Sequence, residues 1–442
     1  MDIFSYGTGL IFLGLTAACL LSCSSAPGHT PGQKSACTPF RDCRLVLPDI
    51  LKNALTRGKS EPISNIEFKV FEKQDWCVLR IEAGEHFGVA AYHLHEHPLK
   101  AAKQETAQKA LSKLLTGKRT TDLEEVWNTA ISEGMLPGLI WMADVALWDL
   151  AGRVAGQPVY KLVGGNRKSI KAYASSPCSM GDYNRYASAL RQVIKRGYHG
   201  YKIHPYVKIK MNEYPAVQSG DAEKDKGLLV RLREEAGPDF LLMWDNFRSY
   251  TYEESVEVGG LLQKHGYAWM ESPMLEDDDT WMNRYIDLCR ELEIPVCAPE
   301  HYPGAHWSRI TWMDEGACDI NRTDPNYGGF TGPMILALEC EKRGIPLELH
   351  FHHPYEYNLQ IAAASDPDTV RYVEIFDGWP PGSLNAYNRR KSGSGSRKFN
   401  HGPFHLLNPS FIGPDGLMPV PDSPGMGIEV DWPNLEKKLE KN

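Results

Sequence analysis

Seven ionisable residues close seven apolar runs along this chain, and they recur at nearly one interval. The runs end at or near His204, Asp245, Glu271, Glu300, Asp324, His350 and Glu374, and after a first gap of 41 residues the gaps are 26, 29, 24, 26 and 24. A TIM barrel of about 250 residues in eight units allots roughly 30 to each, so every step reads as one βα unit. The runs SIKAYAS, HGYKIH, FLLMWD, AWME, PVCAP, CDINR, PLELH and VRYVE give eight strand candidates between residues 169 and 374. Between them lie YNRYASALRQVIKRG, YEESVEVGGLLQKHG and GFTGPMILALECEKRG, helical in period and each closing on Gly. Parallel strands need such helical crossovers, and eight of them predict a TIM barrel. An open doubly wound sheet is disfavoured, because no GxGxxG follows a strand.

In a parallel barrel all seven residues stand at the C-terminal mouth, where active sites of this fold are built. One acid after a strand is ordinarily a helix cap or a solvated loop residue; seven in phase are not explained that way. Asp245, Glu271 and Glu300 come from consecutive units, so neighbouring strands carry them into one small volume. Three carboxylates there cannot all stay ionised without a cation. Oxygen-only ligation without Cys points to a hard ion, and Mg²⁺ takes a few carboxylates while leaving positions for a substrate carboxylate. Such an ion withdraws charge as a base removes the proton α to that carboxylate.

Composition narrows the class. Lys and Arg number 48 against 56 Asp and Glu, a net charge of −8, so no basic field attracts nucleic acid. Ten cysteines without a CxxC pair argue against a disulfide scaffold and structural zinc. Residues 7 to 23 (GTGLIFLGLTAACLLSC) carry no charge and end in Leu20-Leu21-Ser22-Cys23, which resembles a lipoprotein cleavage site before a lipidated cysteine. The stretch before it holds Asp2 and no Lys or Arg, unlike an ordinary secretory signal. Two localisations follow: the cell envelope, with a lipid anchor as the one membrane contact, or the cytoplasm if the start is mis-assigned. Residues 24–61 read as a linker, with Cys37 and Cys43 near enough to pair in an exported chain. From Ile63 to about Gly88 the alternation predicts antiparallel strands, and helical periods begin at Pro98, at Asp122 and in MADVALWDLAGRVAG, together a small α+β domain.

The motifs carry a family likeness. MADVALWDLAGRVAGQPVYKLVGG, Asp245, Trp-Met-Glu271-Ser-Pro, Glu300, Gly328-Gly329-Phe-Thr and GPDGLMPVPDSPGMGIEVDW resemble the mandelate racemase/muconate lactonizing branch of the enolase superfamily across residues 63 to 435. The resemblance implies an α/β protein, a modified TIM barrel under an α+β capping domain. With 1–23 read as a signal or lipoprotein segment and 24–61 as linker, it assigns 62–165 to the capping domain, 166–378 to the catalytic barrel and 379–442 to a segment completing the cap. It further implies Mg²⁺ held by Asp245, Glu271 and Glu300, His350 as base or acid with Asp324 orienting it, and a protonated Glu374 donating to the substrate carboxylate. A Lys or His base beside Mg²⁺ is the general pattern of that superfamily.

Two features depart from the family pattern. Lys202-Ile203-His204 stands where the second strand usually offers Lys-x-Lys, and the step from Asp324 to the glycine pair is one residue short. His204 reads as a base, a substrate donor or a replacement for a lost function. Lys202 lowers a neighbour's pKa or binds the carboxylate. His352 is the alternative to His350 in the dyad, His353 a loop residue, and Ser175 and Ser176 reach substrate from the first strand. The reaction expected is dehydration of a sugar acid to a 2-keto-3-deoxy acid by a homo-oligomer. Racemisation or epimerisation of a 2-hydroxy acid is the alternative. Two other classes stand beside it: a Zn²⁺ hydrolase drawing on His350-Phe351-His352-His353, disfavoured by the missing His-x-His on the first strand, and a non-catalytic binder of sugar acids.

Overall fold

The structure is a computed structural model that describes residues 44–71, 76–93, 103–178, 180–206, 220–352, 354–376, 406–408, 410–433 and 436. The lipoprotein-like segment, Cys37, Cys43 and His353 lie outside the described residues. Among those described, no helix is long and apolar enough to cross a membrane.

The chain first builds an antiparallel sheet, β1 (Asn65–Phe71), β2 (Trp76–Ala83) and β3 (His86–His93), followed by helices Gln104–Leu115, Leu123–Ser132 and Pro137–Val154. The last of these is apolar nearly all round and buried from Gly138 to Gly152, as a helix enclosed by two layers must be. It lies so close to β3 that a Cβ on Gly88 would meet the carbonyl oxygen of Ala146 at 2.1 Å. Only glycine permits that approach.

Residues 44–61 do not form the linker expected of them. Leu45, Leu47, Leu51, Ala54 and Leu55 are buried, the last three on helix Asp49–Arg57, and Asn128 clasps the backbone of Leu45 on both sides at 2.7 and 3.0 Å. The apolar spacing is helical, but Pro48 and the brevity of the run obscure it in the sequence.

All eight expected barrel strands form: β4 (Ser169–Ser175), β5 (Gly200–Ile203), β6 (Leu241–Asp245), β7 (Met270–Glu271), β8 (Val296–Cys297), β9 (Asn321–Thr323), β10 (Leu347–Leu349) and β11 (Tyr372–Phe376). Strands β4 to β8 pair in sequence order and β11 returns beside β4, all parallel. The remaining seams close through β9 with β10, through the bridge from Cys297 to Ile320, and through Leu347 N donating to Thr369 O at 2.8 Å. A last strand, β12 (Leu417–Pro419), runs antiparallel on the start of β4, so the C-terminal segment grips the barrel as well as the cap.

The interior follows the strand period of two. Tyr173, Met243, Trp269, Cys297 and Ile320 pack as an apolar cluster of their own. Two residues further along the same faces stand Ser175, Asp245, Glu271 and Arg322, so an apolar floor gives way to a charged layer beneath the mouth.

Candidate active site

Asp245, Glu271 and Glu300 are all buried, and one carboxylate oxygen from each lies within 4.8 Å of the others. Among the described residues this is the one group of His, Cys, Asp or Glu that could hold a metal ion. Lys202 Nζ sits 3.1 Å from Asp245 and 2.8 Å from Glu374 and also pairs with Glu271. Arg322, fully buried, reaches Glu271 at 2.8 Å, Glu374 at 2.7 Å and Glu300 at 3.0 Å. Four carboxylates against two permanent cations leave two negative charges, which one divalent ion balances. Against burial, His204 and Lys202 hold the Asp245 carboxyl well below its ordinary range. Burial, with Asp245 and Glu374 nearby, pushes Glu271 well above its own. The all-oxygen donor set fits Mg²⁺.

His350 stands at this cage. Its Nδ1 meets Asp324 Oδ2 at 2.9 Å, and its Nε2 is 3.5 Å from Glu300 Oε1. Burial alone would lower its pKa, but Glu300 and Asp324 override it and bring the ring to about 8. The structure thus makes the pair with Asp324 despite the short spacing, and the same Asp324 caps the turn Pro325–Tyr327. His352 is placed elsewhere. Its ring packs against Tyr92 of β3 and Tyr357, with centroids 4.9 and 5.7 Å away, so it faces the cap and the His350-Phe351-His352 run builds no zinc cluster.

His204 is fastened at both ring nitrogens, Nδ1 2.6 Å from Ser176 O and Nε2 2.9 Å from Asp245 Oδ2. The Ser176 hydroxyl accepts from His204 N at 2.8 Å, so Ser176 anchors His204. Ser175 is buried and its Oγ has no hydrogen-bond partner among the described residues. Glu374 departs from expectation. Burial would favour its neutral form, but Lys202 and Arg322 hold it down at about 2, so it cannot donate a proton in a hydrogen bond near neutral pH. The donor beside it is Lys202.

Sequence reading overlooked Arg322, Glu348 and His301. Arg322 and Glu348 each precede a mouth residue by two positions, and that phase is the signal that both point inward. Glu348, pushed up to about 8 by burial, adds no charge to the layer at neutral pH. His301 Nε2 lies 2.9 Å from the same Glu300 oxygen that His350 faces, and its ring meets the edge of Phe247.

The cap reaches the dyad from β3, where the Tyr92 hydroxyl donates to Pro325 O at 3.3 Å, and from one helix. Asp144 on Pro137–Val154 accepts from Phe330 N at 2.6 Å, Thr331 N at 3.0 Å and Trp127 Nε1 at 2.8 Å, securing the loop that follows Asp324. Gly329 in that loop has φ +62°, and a Cβ there would lie 2.3 Å from Asp144 Oδ1. Five residues on, Asp149 accepts from Val89 N at 2.9 Å and Met426 N at 2.7 Å and pairs with Arg153 at 2.7 Å.

Comparison with known proteins agrees with this architecture. The chain is 27% identical over 341 residues to D-galactarolactone cycloisomerase of Agrobacterium fabrum, covering 73% of this chain and 81% of that one. It is 28% identical over 276 residues to arabinonate dehydratase of Saccharolobus solfataricus, covering 60% and 70%. A solved structure of D-glucarate dehydratase from Agrobacterium tumefaciens, complexed with magnesium, superposes with a TM-score of 0.68 at 28% identity, over 86% of this chain and 99% of that one. Residues 54–164 match the mandelate racemase/muconate lactonizing enzyme N-terminal domain and residues 185–434 the enolase C-terminal domain-like family. With cap and barrel both matched, the chain belongs to the mandelate racemase/muconate lactonizing enzyme family of the enolase superfamily.

Proposed function

We propose that this protein is a magnesium-dependent hydro-lyase that converts an aldonate or aldarate to its 2-keto-3-deoxy acid. The observation that carries the reading is the His350–Asp324 pair, at 2.9 Å, beside a buried cage of three carboxylates. The names of two relatives, arabinonate dehydratase and D-glucarate dehydratase, support the reaction class. When bound by Asp245, Glu271 and Glu300, magnesium supplies a Lewis acid that draws charge from the substrate carboxylate.

The chain's own groups do the rest. Lys202 donates to the substrate carboxylate. Asp324 accepts from His350 Nδ1 and so presents Nε2, in the neutral ring that prevails above about pH 8, to take the α-proton, as the carboxylate of a triad does. The C–H electrons move into the bond to the neighbouring carbon, the C–O bond there breaks, and the leaving hydroxyl takes a proton from His204 Nε2 and departs as water. The enol left behind tautomerises to the ketone. Two imidazoles approaching from different strands would also suit racemisation, which needs a base on each face of the substrate. His204 has a carbonyl on one nitrogen and a carboxylate near the other, which suits a proton donor and disfavours a second base.

The test is a screen of hexonates, pentonates and aldarates with Mg²⁺, read for 2-keto-3-deoxy products. Racemisation of a 2-hydroxy acid without ketone formation would refute the proposal.

A further inference from the structure

We propose that Arg322 is a positioning residue that assembles the ligand cage before any ion enters it, an inference that rests on the metal reading above. The guanidinium is fully buried on β9 and touches three acids from three other strands or strand ends: Glu271 closing β7, Glu300 after β8 and Glu374 on β11. One planar fork therefore spans the barrel from the metal side to the substrate side, a reach that a lysine's point charge lacks. Its Nη1 has no hydrogen-bond partner among the described residues, so the orientation satisfies the acids and not the arginine. Lys202 secures Asp245, Glu271 and Glu374 but does not reach Glu300. Glu300 is set apart from the other two ligands, on the loop beyond β8, and His301, His350 and Arg322 are the cationic or imidazole groups that touch it. Arg322 alone among these also binds a second ligand.

The sign of one measurement separates positioning from mere counter-charge. A cation beside a metal site repels the metal, so if Arg322 served only as counter-charge its removal would tighten metal binding. If it holds Glu271 and Glu300 in place, removal weakens binding although the site has become more negative, because the ligands then separate and the ion must gather them.

The experiment uses the full-length protein with Mn²⁺ as the probe, an ion of the same oxygen preference as Mg²⁺. Free Mn²⁺ is counted by electron paramagnetic resonance, without substrate. Arg322→Gln should raise the Mn²⁺ Kd by about tenfold or more, the cost of losing a supporting shell, and Arg322→Lys should fall between it and the wild type. An unchanged or lower Kd in Arg322→Gln overturns the proposal. If Arg322→Gln does not fold, the pair Arg322→Gln with Glu374→Gln restores the charge balance. That variant should still bind Mn²⁺ more weakly than Glu374→Gln alone, and equal Kd values overturn the proposal. Failure of the wild type to bind Mn²⁺ would overturn the metal reading itself, an outcome distinct from either.

Discussion

Replacing Asp144 by Asn should change how stability depends on pH. Asp144 is fully buried, and burial raises its carboxyl from the ordinary 3.8 to about 6 even though Thr331, Phe330 and Trp127 all donate to it. A raised folded-state value means the native chain binds this proton more tightly than the unfolded chain. The wild type therefore gains most from Asp144 below pH 3.8 and loses that gain as the pH rises to about 6. At about 1.4 kcal/mol per pH unit the loss is ~3 kcal/mol. Asparagine cannot titrate. It keeps an oxygen for the two backbone donors and turns an amide toward the Trp127 indole N–H, leaving a buried donor unmatched at a cost of about 1–3 kcal/mol. The variant should thus be clearly less stable than the wild type near pH 4 and nearly equal to it above about pH 6. Urea midpoints for both proteins across this range give the difference, in which the slopes of all other groups cancel. A difference that is flat with pH, or that widens toward neutrality, would refute the reasoning.

Chelation should abolish turnover, and one equivalent of Mg²⁺ per chain should restore it, as titration calorimetry would report; tight stoichiometric Zn²⁺ with no Mg²⁺ response would favour a hydrolase. His350→Asn should lower kcat by about 10²–10⁴-fold with Mg²⁺ binding retained, and should end exchange of the substrate α-hydrogen with D₂O. In His204→Asn that exchange should survive while keto-acid formation falls, and loss of both would make His204 the base. Asp324→Asn should impair the exchange step less completely than His350→Asn, since it touches the imidazole and not the substrate. Gly329→Ala combines a positive φ with a 2.3 Å approach to Asp144 and should cost at least about 1–3 kcal/mol of stability, read as a fall in Tm.

The barrel was legible because its strands are buried on both faces and read as unbroken apolar runs. The mouth was legible for the complementary reason: where a run stops, the strand has left the core. The same logic hid Arg322 and Glu348. A charge inside a short run looks like its end, although period two turns it onto the inward face with Asp324 and His350. The protonation of Glu374 could not be read from the chain either, because it depends on Arg322 arriving from β9 and Lys202 from β5. The anchoring role of Ser176 was hidden for a different reason. Its fastening of His204 uses the main-chain carbonyl as well as the hydroxyl, and a carbonyl has no sequence signature. The helix Asp49–Arg57 was lost to Pro48 and a run too short to display its period.

The helix Pro137–Val154 also has a history during synthesis. It is made early, with two aspartates that each take part of their hydrogen bonding from residues made much later: Phe330 lies 186 residues beyond Asp144, and Met426 lies 277 beyond Asp149. Until those residues have been translated, burying the helix would leave Asp144 with Trp127 and Asp149 with Val89 and Arg153 as their partners, one side of each carboxylate unmatched, so docking of the helix is incomplete until the later partners arrive. Contacts of such sequence separation are slow to form, and an incompletely docked intermediate is the kind that aggregates. Nascent chains halted before Met426 should therefore be sensitive to protease throughout the barrel and bound by chaperones, and completion of the chain, more than any single βα unit, should be the event that makes the fold cooperative.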